Sequence, residues 1–126
     1  MKRLPDAELE IMLIIWEANG AVTRSYIQEQ LEKSKVLAPT TILSFLSRLT
    51  SKGFLRIEKE GKTNYYYPIV SHETYAHNES KTVLERFFGN SVKNFVAHLN
   101  DSKAVDEEEI EELRAFLDNL PSEDSK

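Results

Sequence analysis

Residues 39–70 read PTTILSFLSRLTSKGFLRIEKEGKTNYYYPIV, and the periodicity changes once within them. Up to Gly53 the apolar residues keep helical spacing, with Ile42, Phe45, Leu46 and Leu49 on one stripe. Pro39 suits a first helical position, where its missing N–H would have had no partner. Gly53 stops the helix. Beyond it, Phe54–Lys59 and Asn64–Val70 alternate as strands around the turn Glu60-Gly61-Lys62, a hairpin pattern with Gly in the loop. Two strands alone are marginal in water, so this hairpin has to pack on helices.

Opposite the apolar stripe, the helix starting at Pro39 presents Thr40, Thr41, Leu43, Ser44, Ser47 and Arg48. These side chains are short and mostly hydroxyl-bearing, whereas exposed helix faces are commonly rich in Glu and Lys. No carboxylate occurs from Val36 through Ile57. Such a face can approach a polyphosphate without like-charge repulsion.

Toward the N-terminus, Asp6–Asn19 reads as a helix with Asp6 as N-cap and Glu8 and Glu10 in the first turn. Leu9, Met12, Leu13 and Trp16 are expected inward, at i, i+3, i+4 and i+7. Asn19-Gly20 ends it with a residue suited to the left-handed position. Thr23 caps a second short helix with Tyr26, Ile27 and Leu31 inward, and Ser34–Ala38 connects it to Pro39. Three short helices and a two-stranded hairpin make a winged helix-turn-helix. In that module the third helix enters the DNA major groove, while the second helix and the wing hold the backbone. Thr and Ser hydroxyls can bond bases or phosphates, and Leu43 or a Thr methyl can touch a thymine methyl. Arg48 and the wing-tip lysines Lys59 and Lys62 supply phosphate contacts. Tyr65 and Tyr67 share one strand face and Tyr66 takes the other, which favours packing over stacking on a single strand.

Residues 71–120 read as amphipathic helices capped by Ser71, Ser91 and Asp106, with a break at Gly89. Their apolar residues include Leu84, Phe87, Phe88, Val92, Phe95, Val96, Leu99, Ile110, Leu113 and Leu117. That is more apolar surface than so short a segment buries on itself. Pairing with a second copy is the simplest solution, and a two-fold dimer also suits a dyad operator. Folding back onto the N-terminal part is the alternative. The expected organisation is mainly α: a DNA-binding domain over 1–70, a helical dimerisation domain over 71–120 and a polar tail over 121–126.

The whole chain of 126 residues carries a formal net charge of −5, which by itself argues against nucleic acid. Split by segment, 1–70 is net +2 and 71–126 is net −7. Within 35–62, Lys35, Arg48, Lys52, Arg56, Lys59 and Lys62 face only Glu58 and Glu60. Zero cysteines exclude disulfides, thiolate catalysis and cysteine-based metal sites. Four glycines leave little for a phosphate cradle, and the longest apolar run, Ile11–Trp16, is too short for a membrane span. A cytoplasmic protein without cofactor is expected. His72 and His77 are five apart, which does not place two ligands on one helix face, so no metal site is expected. No nucleophile–base–acid constellation stands out, and an enzyme is not expected.

Four stretches resemble the penicillinase-repressor family: Asp6–Trp16 (DAELEIMLIIW), Ala38–Phe54 (APTTILSFLSRLTSKGF), Gly61–Tyr67 (GKTNYYY) and Glu107–Leu117 (EEEIEELRAFL). The resemblance implies a homodimeric winged-helix repressor on a dyad operator, controlling β-lactam resistance genes or another stress or transport operon. It places Pro39, Thr40, Thr41, Leu43 and Ser44 at the groove-facing start of the recognition helix, matches Arg48 to an Arg of the motif, and sets Lys62 at the wing tip. Members often carry Lys where this chain has Thr40, and some have a basic or amide residue at the position of Leu43. The helix here is less basic. The resemblance also implies a membrane-sensor and protease system as a signalling partner. Its cleavage register falls on His98–Leu99 here, whereas the Asn–Phe dipeptide of the family occurs out of register at Asn94–Phe95. The copper-responsive branch needs cysteines that this chain lacks. A second function class remains beside the repressor: an interaction adaptor using a winged helix without specific DNA binding.

Overall fold

The structure is a computed structural model and describes residues 3–121. The expected polar tail lies, past Pro121, outside the described residues. Eight elements follow in order. They are α1 (Asp6–Ala18), α2 (Arg24–Leu31), α3 (Pro39–Ser51), β1 (Leu55–Glu60), β2 (Thr63–Pro68), α4 (His72–Phe88), α5 (Val92–Asp101) and α6 (Glu107–Asp118). Contacts divide the chain into compact units at 1–80 and 81–126. The first part of α4 therefore packs with the winged helix, although the sequence places a boundary at Val70.

In the first unit, α1, α2 and α3 enclose a core closed by the hairpin. Ile11, Met12, Ile15, Ile27, Ile42, Leu46 and Leu49 are all fully buried. Each such side chain contributes about 1.5–3 kcal/mol relative to exposure. The inward stripe of α3 is the expected one. That of α1 is not. Met12 is buried as expected, but Leu9 and Trp16 are half-buried, Leu13 is 44% exposed, and Glu8, Ile11 and Ile15 take the remaining inward positions. The continuous apolar run Ile11–Trp16 does not specify a single face, and packing selected one. Asp6 is likewise the first helical residue rather than the cap. Pro5, extended at φ −59° and ψ 154°, precedes it and offers no side-chain bond.

Other boundaries follow local chemistry. Asn19 takes the left-handed conformation at φ 57°, and its N–H donates to the Trp16 carbonyl. The Thr23 hydroxyl accepts from Tyr26 N–H at 3.1 Å and caps α2. At the end of α3, Gly53 N–H donates to the Thr50 carbonyl and Phe54 N–H to that of Leu49, at 3.1 and 2.9 Å. With Gly53 at φ +82°, this is a Schellman stop. It turns the chain from the recognition-type helix directly into the wing.

The strands are antiparallel, from Leu55 opposite Pro68 to Glu60 opposite Thr63. Each is offset slightly from the expected range. The loop is only Gly61-Lys62, with Gly61 at φ +62°, the pattern of a two-residue II′ turn. Val22 adds an isolated bridge to β2, exchanging both backbone bonds with Tyr66 at 3.2 and 2.8 Å. Tyr66 is buried while Tyr65 and Tyr67 are half-buried. The Tyr67 ring carries the Arg56 guanidinium at 4.2 Å from its centre.

Two long-range polar contacts tie the unit together. Glu8 is 3% exposed and meets Lys52 Nζ at 2.6 Å, joining α1 to the end of α3. Tyr75 of α4 accepts from the Leu4 N–H at 2.8 Å. Burial pushes the Tyr75 phenol above its ordinary value, reinforced by Glu79.

The second unit is different in kind. Ser91 caps α5 and Asp106 caps α6, accepting from Asn94 and Glu109 N–H at 3.0 and 2.9 Å. Gly89 and Asn90 both take positive φ in the turn before α5. Phe88 rests against Phe95 and His98, with ring centres 5.0 and 5.2 Å apart. Yet no residue of α5 or α6 is buried.

Lys52→Ala strands a buried carboxylate and should lower stability by about 2–3 kcal/mol. Glu8→Leu combined with Lys52→Met should recover most of that loss, as read from urea midpoints. Tyr75→Phe leaves the Leu4 N–H without its partner and should cost about 1–2 kcal/mol. Because the folded phenol is raised, its stabilisation is complete below the unfolded Tyr range and is lost as pH climbs through and above it. Alkaline melts of wild type and Tyr75→Phe should therefore converge.

Candidate nucleic-acid interface

The buried stripe of α3 fixes which residues face out. Pro39, Thr40, Leu43, Ser44, Ser47 and Arg48 are exposed and Thr41 is half-exposed. All the sequence-selected residues of this helix thus lie on one accessible face. Leu43 is 42% exposed, the largest apolar group there. The Arg48 guanidinium lies 5.7 Å from the Phe45 ring centre, which steadies it without neutralising it.

Lys59 and Lys62 are exposed at the wing, and neither has an ion pair among the described residues. Three other cations of the basic stretch are engaged. Lys35 pairs with Glu10 at 2.6 Å, Lys52 with Glu8, and Arg56 with Glu58 at 2.8 Å. The cations free to meet phosphate from that stretch are therefore Arg48, Lys59 and Lys62. Tyr67, beside Glu58 and Glu60, has its phenol pushed up by lost hydration and then by Glu58, so it stays neutral and adds no charge to the wing at neutral pH.

The fold also brings in residues that the sequence reading did not select. A notch of about 220 Å³ is lined by Arg24 and Ser25 of α2, Leu43 of α3, and Lys62, Thr63 and Asn64 of the wing. The Val22–Tyr66 bridge makes this junction by seating the start of α2 against β2. Arg24 is held in place by hydrogen bonds to Gln28 and to Ser25. Two cations, the hydroxyls of Ser25 and Thr63 and the amide of Asn64 thus border a concave seat beside the exposed face of α3. This arrangement can grip a phosphate chain on one side while short side chains reach base edges on the other.

The residues selected for self-association lie on α4, α5 and α6. Leu84, Phe88, Phe95, Val96, Leu99, Ile110 and Leu113 are half-buried, while Phe87, Val92 and Leu117 are 62%, 60% and 52% exposed. Phe116 and Leu120 are exposed to a similar degree. His98 and Leu99 sit within α5, where His98 Nδ1 is 2.9 Å from the Asn94 carbonyl. Among the described residues, no three His, Asp or Glu side chains group as a metal site, and no helix is long and apolar enough to cross a membrane.

The chain is similar to known proteins. Residues 4–119 match the family described as Penicillinase repressor. A "Penicillinase repressor" of Bacillus licheniformis is 35% identical over 121 residues, covering 94% of either chain. "Methicillin resistance regulatory protein MecI" of Staphylococcus aureus (strain N315) is 30% identical over 114 residues, 90% of this chain and 92% of that one. Among solved structures, the Bacillus licheniformis BlaI monomeric form in complex with the blaP half-operator matches with TM-score 0.50 and 34% identity, over 59% of this chain and 89% of that one. With a winged helix whose outer face carries no carboxylate and a family match spanning nearly its whole length, the chain belongs to the penicillinase repressor family.

Proposed function

We propose that this protein is a transcriptional repressor that binds a dyad operator in double-stranded DNA as a homodimer. One observation carries the proposal: the exposed face of α3 has no carboxylate and stands opposite a fully buried stripe, beside Lys59 and Lys62 of the wing, which have no ion pair among the described residues. The complex of the Bacillus licheniformis relative with a half-operator supports the same reading. Thr40, Thr41, Leu43 and Ser44 read base edges, and Ser47, Arg48, Lys59 and Lys62 hold the backbone, joined by Arg24 and Asn64. DNA binding resides in 1–70 and self-association in 71–120, with the start of α4 serving the first unit structurally. No catalytic chemistry is required, and the protein acts in the cytoplasm.

Dimerisation accounts for α5 and α6, which bury no residue in the single chain. The apolar residues from Leu84 to Leu117 named above form that interface. The regulated genes are β-lactam resistance genes, in line with the relatives named for penicillinase and methicillin resistance, or another stress or transport operon. Derepression by a membrane-sensor protease would act at His98–Leu99. That bond is helical in α5, so cleavage requires α5 to open locally before a protease can take the chain as an extended strand.

Gel retardation on DNA upstream of the gene should show strong salt dependence. If about eight phosphates are contacted per dimer, the log–log slope is near −7. A slope near zero contradicts the proposal. The triple variant Thr41→Glu, Ser44→Glu, Arg48→Glu should bind at least about a hundredfold more weakly with its circular dichroism unchanged. Light scattering should give twice the 14.5 kDa chain mass, and Phe116→Glu with Leu117→Glu should shift it toward a single chain.

A further inference from the structure

Two hollows of about 460 and 480 Å³ open on the first unit, away from the outer face of α3. That size holds a small organic ligand. Trp16 and His72 line both. Leu13 and Glu17 complete one, and Ile69 and Glu73 border the other. The indole is fixed in place, because Trp16 Nε1 donates to the Val70 carbonyl at 2.9 Å and the ring rests 5.1 Å from the His72 ring. Leu13 and Ile69 are 44% and 58% exposed, so the walls present apolar surface to water. Among the described residues, no Lys or Arg lines either hollow. The charged side chains among the described residues there are the carboxylates of Glu17 and Glu73, beside the imidazole of His72. Glu73 makes only a long, exposed approach of 3.8 Å to His77.

An aromatic face attracts a cation, apolar walls favour an apolar body, and a carboxylate rim favours positive charge. The start of α4 lies here and its dipole opposes a cation, but Glu73 in its first turn offsets that end. We propose that these two hollows, which adjoin at their shared Trp16 and His72, act as one cleft that binds a single lipophilic organic cation, such as a quaternary phosphonium or ammonium bearing aromatic groups.

Trp16 is the single tryptophan of the chain, so its emission reports on the cleft directly. Full-length protein is titrated with tetraphenylphosphonium and, separately, with the same-shaped anion tetraphenylborate, with calorimetry giving the stoichiometry. The expected result is a saturable one-to-one change with the cation and at least about tenfold weaker binding of the anion. Glu17→Gln with Glu73→Gln should weaken the cation about tenfold, and both side chains are exposed enough for the fold to tolerate the change. An unsaturable response, equal binding of cation and anion, or wild-type affinity in the folded double variant would overturn the proposal.

Discussion

The outward face of α3 is decided by what its inward face buries. Ile42, Leu46 and Leu49 are each fully buried, and at 3.6 residues per turn that leaves the helix one rotational setting. The setting is held at its far end by two devices. Lys52 closes on the buried Glu8 of α1, and the Schellman stop at Gly53 sends the chain into β1 without slack. Rotate α3 by one residue and a Ser or Arg enters the core while Ile42 meets solvent. The hydroxyl-bearing face and the wing are therefore aimed by one packing solution.

The electrostatics follow from the same frame. A basic stretch in sequence becomes two populations in space. Lys35, Lys52 and Arg56 are paired with Glu10, Glu8 and Glu58, and of these pairs the one between Lys52 and the buried Glu8 ties two elements of the core together. Arg48, Lys59 and Lys62 remain for a partner. The field of the outward face of α3 is thus modest, set by the absence of carboxylates as much as by cations. The acidic excess belongs to 71–126, so the net charge of −5 does not describe the face that matters.

Local signals carried much of this into the sequence. The stripe of α3, its Pro39 start, the hairpin and the caps at Thr23, Ser71, Ser91 and Asp106 each depend on residues within a few positions of one another. The features that escaped are long-range. Ile11–Trp16 is apolar at every position, so only tertiary packing could choose Ile11 and Ile15 over Leu13. Glu8 reads as a first-turn surface acid until Lys52, from another helix, buries it. Arg24 joins the candidate site only because Val22 bridges Tyr66. No spacing rule connects those residues. For α5 and α6 the sequence shows the same imbalance as the structure: more apolar surface than one chain covers.

Hydrogen exchange of the full-length protein, with and without upstream DNA, tests the central claim most directly. Protection should appear in two separate stretches, the start of α2 with α3 and the wing from Lys59 to Asn64, while the core amides of α1 stay as they were. Protection confined to α5 and α6, or none on saturation with DNA, would contradict the account.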